Sequence, residues 1–152
     1  MNKPFHEYLK EQNIICGIHS VTGSETVELL CKKIAAESHG LKMHEIYNAV
    51  MARENILSTV VMPGLAIPHA RMPKVRDVHI ALGTSYKGID FSAPKMPPVN
   101  IVVLILSPDE DPSVHFQVLY ALANEFKKPG TVQSVLSLPS PAEIIHFFTS
   151  RI

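Results

Sequence analysis

The segment Val99-Asn100-Ile101-Val102-Val103-Leu104-Ile105-Leu106 is apolar throughout apart from Asn100. A strand that shows one face to water alternates apolar and polar residues, so an unbroken apolar run belongs in the middle of a sheet covered on both faces. The rest of the chain must therefore supply helices for both faces. Thr22-Gly23-Ser24-Glu25 is a capping box, followed by Val27, Leu30, Cys31 and Ile34 on one helical face, with Gly40 as the stop. Met43, Ile46, Tyr47, Val50 and Met51 recur at helical spacing and predict a second helix that runs out near Arg53, before the loop around Pro63-Gly64. Asp111-Pro112 reads as the N-cap and first residue of a third helix, with Val118, Leu119, Leu122 and Phe126 inward and an end by Pro129-Gly130. Ser140-Pro141-Ala142-Glu143 opens a last helix carrying Ile144, Ile145, Phe147 and Phe148.

Leu65-Ala66-Ile67 reads as a short strand, and Val78, Ile80 and Leu82 alternate with His79 and Ala81 as in a half-buried one. The order strand, helix, helix, strands, helix, helix predicts an α/β fold: one domain over 1–152, with a mixed parallel and antiparallel sheet and helices on both faces. A chain of 152 residues can bury about two-thirds of its unfolded surface, so no metal or disulfide staple is needed. Cys16 and Cys31 lack the spacing and density of a disulfide scaffold, which points to reduced thiols and a cytoplasmic protein. No run approaches a membrane span, and Met1-Asn2-Lys3-Pro4-Phe5-His6-Glu7 lacks the apolar core of a signal peptide, so no membrane insertion is expected. Fourteen basic residues balance 14 acidic ones without blocks of either sign, which leaves no footprint for nucleic acid.

No phosphate-binding glycine loop, dinucleotide fingerprint, zinc-protease or serine-hydrolase motif occurs. What remains is histidine chemistry near neutral pH. In Gly64-Leu65-Ala66-Ile67-Pro68-His69-Ala70-Arg71 an apolar strand runs into a proline that stiffens the backbone, and one imidazole is delivered at the strand's exit. The small Ala70 leaves room for a partner beside it. His115 falls in the first turn of the helix capped by Asp111, where the positive end of the dipole attracts anions and favours a neutral ring. Arg53 ends its helix, where its guanidinium can offset the dipole or fork two donors onto an anion. Arg71 and Lys74 are candidates to seat an acidic surface. A zinc site from His69, His79 and His115 is disfavoured, because alternation places His79 opposite Val78 and no short chelating pair occurs. His6, His19, His39, His44 and His146 read as surface or loop residues.

The Gly64–Ala70 motif, the block Arg53-Glu54 followed by Thr59, and the second histidine in Val114-His115-Phe116-Gln117-Val118-Leu119 together resemble the mannitol/fructose class (type 2) of enzyme IIA domains of the bacterial phosphotransferase system, including its nitrogen-regulatory branch. The resemblance spans almost the whole chain and implies the same α/β architecture. It implies that His69 takes a phosphoryl group on Nε2 from the phosphocarrier HPr or its nitrogen-branch counterpart. Arg53 and His115 would stabilise that group, and Thr59 would assist. No cofactor or metal is implied, since the donor is already a phosphohistidine. The acceptor would be a cysteine of an enzyme IIB or a regulated target protein. A chain with no attached IIB or membrane part points to the regulatory branch; a separate transporter subunit and a non-catalytic adaptor are the alternatives. The chain departs from a common pattern of the family at Val114, where an acidic residue often precedes the second histidine.

Overall fold

The unbroken apolar run forms β6 (Val99–Pro108), the central strand of the computed structural model, which describes residues 3–38, 40–93 and 95–150. His39, expected on a loop, lies outside the described residues, as do the first two residues of the N-terminal stretch. A short 3-10 helix (Phe5–Tyr8) leads into β1 (Leu9–Ile15), followed by α1 (Gly23–Glu37) and α2 (Met43–Glu54). Then come β2 (Val60–Met62), β3 (Leu65–Ala66), β4 (His69–Met72), β5 (His79–Ile89) and β6, and finally α3 (Pro112–Lys127), α4 (Thr131–Leu136) and α5 (Pro141–Thr149).

The six strands form one mixed sheet in the order β1-β5-β6-β3-β2, with β4 also on β6. β5 is antiparallel to β6 and parallel to β1, while β3 and β4 both run parallel to β6. Successive side chains of β6 go to opposite faces, as the pleat requires. Ile101, Val103 and Ile105 join the core under α3, α4 and α5; Val102, Leu104 and Leu106 join the core under α1 and α2. The fold is thus an α/β/α sandwich, and the expected mixed sheet with helices on both faces is what the chain adopts.

The sequence caps act as read. Thr22 Oγ1 accepts from the Glu25 N–H, Asp111 accepts from the Ser113 N–H, and Ser140 accepts from the Glu143 N–H. Val27, Leu30, Cys31 and Ile34 are fully buried on α1. Two strand expectations need correction. β5 is buried on both faces through most of its length rather than half-buried, because Ala81 and Gly83 let α1 and its preceding loop lie close against it. A Cβ at Gly83 would sit 2.1 Å from Ile18 Cδ1. Second, the strand Leu65–Ile67 does not end at His69. β3 and β4 lie along β6 in one register, Leu65 opposite Ile101 and His69 opposite Ile105, and are interrupted only at Ile67-Pro68. Proline has no N–H for the ladder, so it breaks the strand without shifting it. His69 is consequently the first residue of a resumed strand at the sheet's edge.

Candidate functional site

His69 is held by the chain immediately before it. Its Nδ1 lies 2.8 Å from the Ile67 carbonyl oxygen. A carbonyl can only accept, so Nδ1 carries the proton and the lone pair of the neutral ring is on Nε2. Ile67 is itself fixed, since its N–H donates to the Thr59 carbonyl at 2.9 Å. Burial pushes the His69 pKa below the ordinary imidazole value; the Ile67 carbonyl opposes this, and the Arg53 charge reinforces it. The ring is therefore kept neutral, with a free nitrogen.

His115 approaches from α3, its ring centroid 5.2 Å from that of His69. It is only 3% exposed, a buried residue rather than a solvated one. Its Nδ1 is 2.8 Å from the hydroxyl of Ser107, near the end of β6. Its pKa is pushed down to about 4, first by burial and then by the charges of His69, Arg71 and Arg53. The neutral ring expected from the helix dipole is present, but burial is its main cause.

Arg53, in the last turn of α2, comes round the sheet edge from the other face. Its Nη1 donates to the Leu57 carbonyl at 2.9 Å, which steadies the guanidinium beside His69. Arg53, His69, Ala70, Arg71, Asp109, His115 and Phe116 line a cleft of about 360 Å³, with Ala49 as its remaining wall. Small side chains at Ala49 and Ala70 keep it open. Four of the expected residues thus meet in one place: His69, His115, Arg53 and Arg71.

Thr59 does not line this cleft. It is 3% exposed, and both its N–H (2.9 Å) and its hydroxyl (2.5 Å) donate to the Glu54 carboxylate. Its part in the site is indirect, because its carbonyl holds Ile67, whose own carbonyl orients His69. Lys74 lies away from the cleft and pairs with Glu45 at 3.2 Å. Arg71 stacks its guanidinium carbon 6.0 Å from the Phe116 ring centroid. His79 is turned to the α1 face, its Nδ1 2.7 Å from Glu37 Oε1. Among the described residues no three His, Cys, Asp or Glu side chains are grouped to hold a metal ion.

Sequence reasoning missed Ser107 and Asp109. Ser107 is the hydroxyl that follows the apolar run of β6, and only the crossing of α3 over that strand reveals its partner. The cleft brings together two imidazoles kept neutral mainly by burial and two guanidinium groups, a setting that attracts anions.

The chain is 26% identical over 120 residues to the nitrogen regulatory protein of Bradyrhizobium diazoefficiens, spanning 79% of this chain and 78% of that protein. It is 31% identical over 93 residues to the fructose-specific EIIA component of a phosphotransferase system from Haloferax volcanii, spanning 61% of this chain and 60% of that one. The crystal structure of the nitrogen regulatory protein IIA-Ntr from Neisseria meningitidis superimposes with a TM-score of 0.87 at 26% identity, covering 93% of this chain and 96% of that one. The family model for the phosphoenolpyruvate-dependent sugar phosphotransferase system, EIIA 2, matches residues 7–151, and the chain belongs to that family.

Proposed function

We propose that this protein is a cytoplasmic phosphocarrier that accepts a phosphoryl group on Nε2 of His69 from a phosphohistidine of an HPr-like protein. The observation that carries the proposal is the bond from His69 Nδ1 to the Ile67 carbonyl, which commits one ring nitrogen and leaves the other as the nucleophile. The Nε2 lone pair attacks phosphorus, the P–N bond to the donor imidazole breaks, and the donor ring leaves with that electron pair. His69 keeps its Nδ1 proton throughout, so positive charge develops on a ring whose N–H already faces a carbonyl dipole. Transfer through a loose transition state asks the protein mainly to position the groups and neutralise the equatorial oxygens. Arg53 and His115 do this from opposite sides of the cleft, and Arg71 adds charge at its rim.

A carrier must also seat its partners. Ile56 and Leu57, beside Arg53, and Phe116 and Tyr120, on α3 beside His115, are all more than half exposed. Large apolar side chains on both banks of a charged cleft suit transient docking of a protein, which would also exclude water from the transferring group. The likeness to two nitrogen regulatory proteins favours a regulatory role, in which phosphorylated and unphosphorylated forms bind a target differently. The likeness to a fructose-specific component favours the second reading, transfer onward to a cysteine of an enzyme IIB.

Incubation with phosphoenolpyruvate, enzyme I and HPr, followed by mass spectrometry, tests the carrier. One acid-labile phosphoryl group on His69 is expected, and none points to an adaptor of the same fold. Pull-downs with wild type, His69→Ala and His69→Glu test regulation. Rapid discharge to a separately encoded enzyme IIB, with restored uptake of one sugar in a deletion strain, would assign transport instead.

A further inference from the structure

We propose that Ser107 is a positioning residue for this transfer: its hydroxyl donates to His115 Nδ1 and so fixes the ring as the tautomer whose Nε2–H serves the phosphoryl group. The proposal rests on the phosphocarrier reading above for its purpose, and on local geometry for its substance.

Ser107 is fully buried near the end of β6, and its hydroxyl lies 2.8 Å from His115 Nδ1. Two arrangements fit that distance. In one, the hydroxyl donates to a bare Nδ1 and the ring proton is on Nε2. In the other, Nδ1–H donates to the hydroxyl oxygen and Nε2 is bare. The hydroxyl has no other hydrogen-bond partner among the described residues, so the second arrangement leaves a buried O–H without an acceptor. An orphaned buried donor is the costly outcome, and the first arrangement avoids it.

The same choice decides what the cleft can do. With Nδ1 turned to Ser107, Nε2 is the nitrogen available to the cleft that His115 lines with His69 and Arg53. A bare Nε2 would present a lone pair to oxygens that are gaining negative charge. An Nε2–H presents a donor. The ring does not escape the choice by taking a second proton, because burial and the neighbouring cations keep it neutral down to about pH 4. Val114, the residue before His115, is apolar and offers no alternative acceptor to set the tautomer. The strand beneath the helix supplies that control.

Long-range ¹H–¹⁵N correlation spectra of the unphosphorylated wild type read the tautomer directly. His115 protonated on Nε2 and bare on Nδ1 is expected; a proton on Nδ1 at neutral pH overturns the assignment, even if His69 is phosphorylated normally. Wild type that accepts no phosphate counts instead against the carrier reading. In transfer assays Ser107→Ala and Ser107→Cys should slow acceptance from phospho-HPr about two- to tenfold. Ser107→Thr, which keeps the hydroxyl, should restore the rate. In a His115→Ala background Ser107→Ala should cost nothing more, since the residue acts through that ring. Fully additive losses would contradict the proposal, and should a variant fail to fold, the wild-type spectrum still decides.

Discussion

His69 and His79 begin strands on either side of β6, opposite Ile105 and Leu106, yet their surroundings give them different chemistry. His79 faces α1, where its Nδ1 meets the Glu37 carboxylate at 2.7 Å, with the Lys10 ammonium 3.6 Å from the other oxygen. Burial opposes ionisation of Glu37, but the hydrogen bond from His79 and the charge of Lys10 outweigh it and hold the carboxyl below its usual range. His69 faces α3, where a carbonyl accepts its Nδ1–H and the nearby charges include a guanidinium. A carboxylate partner ties a histidine into a structural hydrogen bond. A carbonyl partner with cations nearby leaves it a neutral ring with a bare nitrogen in a site that attracts anions. The fold builds both at the start of strands that flank β6, and the face of the sheet decides which results.

The largest expected effect separates the two outright. His69→Ala should abolish acid-labile phosphorylation and leave the fold intact, whereas His79→Ala should still accept phosphate; measuring incorporation from phospho-HPr in both breaks the comparison if the label survives the first or vanishes with the second. Next in size, Arg53→Ala and His115→Ala should each slow transfer about ten- to a hundredfold, the kinetic equivalent of one charge-assisted contact worth about 1.5 to 3 kcal/mol. Arg53→Lys should recover only part of that loss, because an ammonium lacks the planar fork. Wild-type rates in both alanine variants would reduce these residues to structural ones.

The neutral cleft also leaves a mark on stability. His115 has a folded pKa of about 4 against 6.5 for an unperturbed ring, so between these values the unfolded chain binds more protons than the folded one. Its contribution is complete above pH 6.5 and is lost as the pH falls toward 4, a change on the order of 3 kcal/mol. Urea unfolding across that window should show stability rising with pH, with a flatter dependence in His115→Gln. An unchanged slope in the variant would mean that the ring is not held neutral. Glu37 contributes in the same direction but at lower pH, its stabilisation being lost only as the carboxyl protonates below about 4.5. The smallest effect belongs to the structural pair: His79→Ala should cost about 1 to 3 kcal/mol by leaving Glu37 without its nearest partner, with transfer unaffected.

Much of this could be read from the chain because it is written in local signals. The capping residues Thr22, Asp111 and Ser140 each accept the backbone bond expected of them, and the apolar run of β6 announces a central strand. Other features depend on distant neighbours. β1 is an edge strand whose Lys10, Glu11 and Gln12 are exposed, so no alternation fixes its bounds, and α4 starts from the left-handed Gly130 with no side-chain cap to mark it. Alternation made β5 look half-buried because it cannot register a helix packing over Ala81 and Gly83. At the site, His69, His115 and Arg53 stood out by residue type and local setting, and the fold brings them to one cleft. Thr59 does not line the cleft because Glu54, five residues earlier, takes both its donors, and Ser107 was invisible because serine at a strand end has no meaning until α3 lays His115 across it.

The most direct test of the account is the position of the phosphoryl group on the ring it is said to occupy. Phosphorylated, ¹⁵N-labelled protein examined by long-range ¹H–¹⁵N and ³¹P–¹⁵N correlation should show phosphorus bonded to His69 Nε2, with the proton on Nδ1 retained. Phosphorus on Nδ1 of His69, or on any other histidine, would contradict the claim that the Ile67 carbonyl selects the nucleophile.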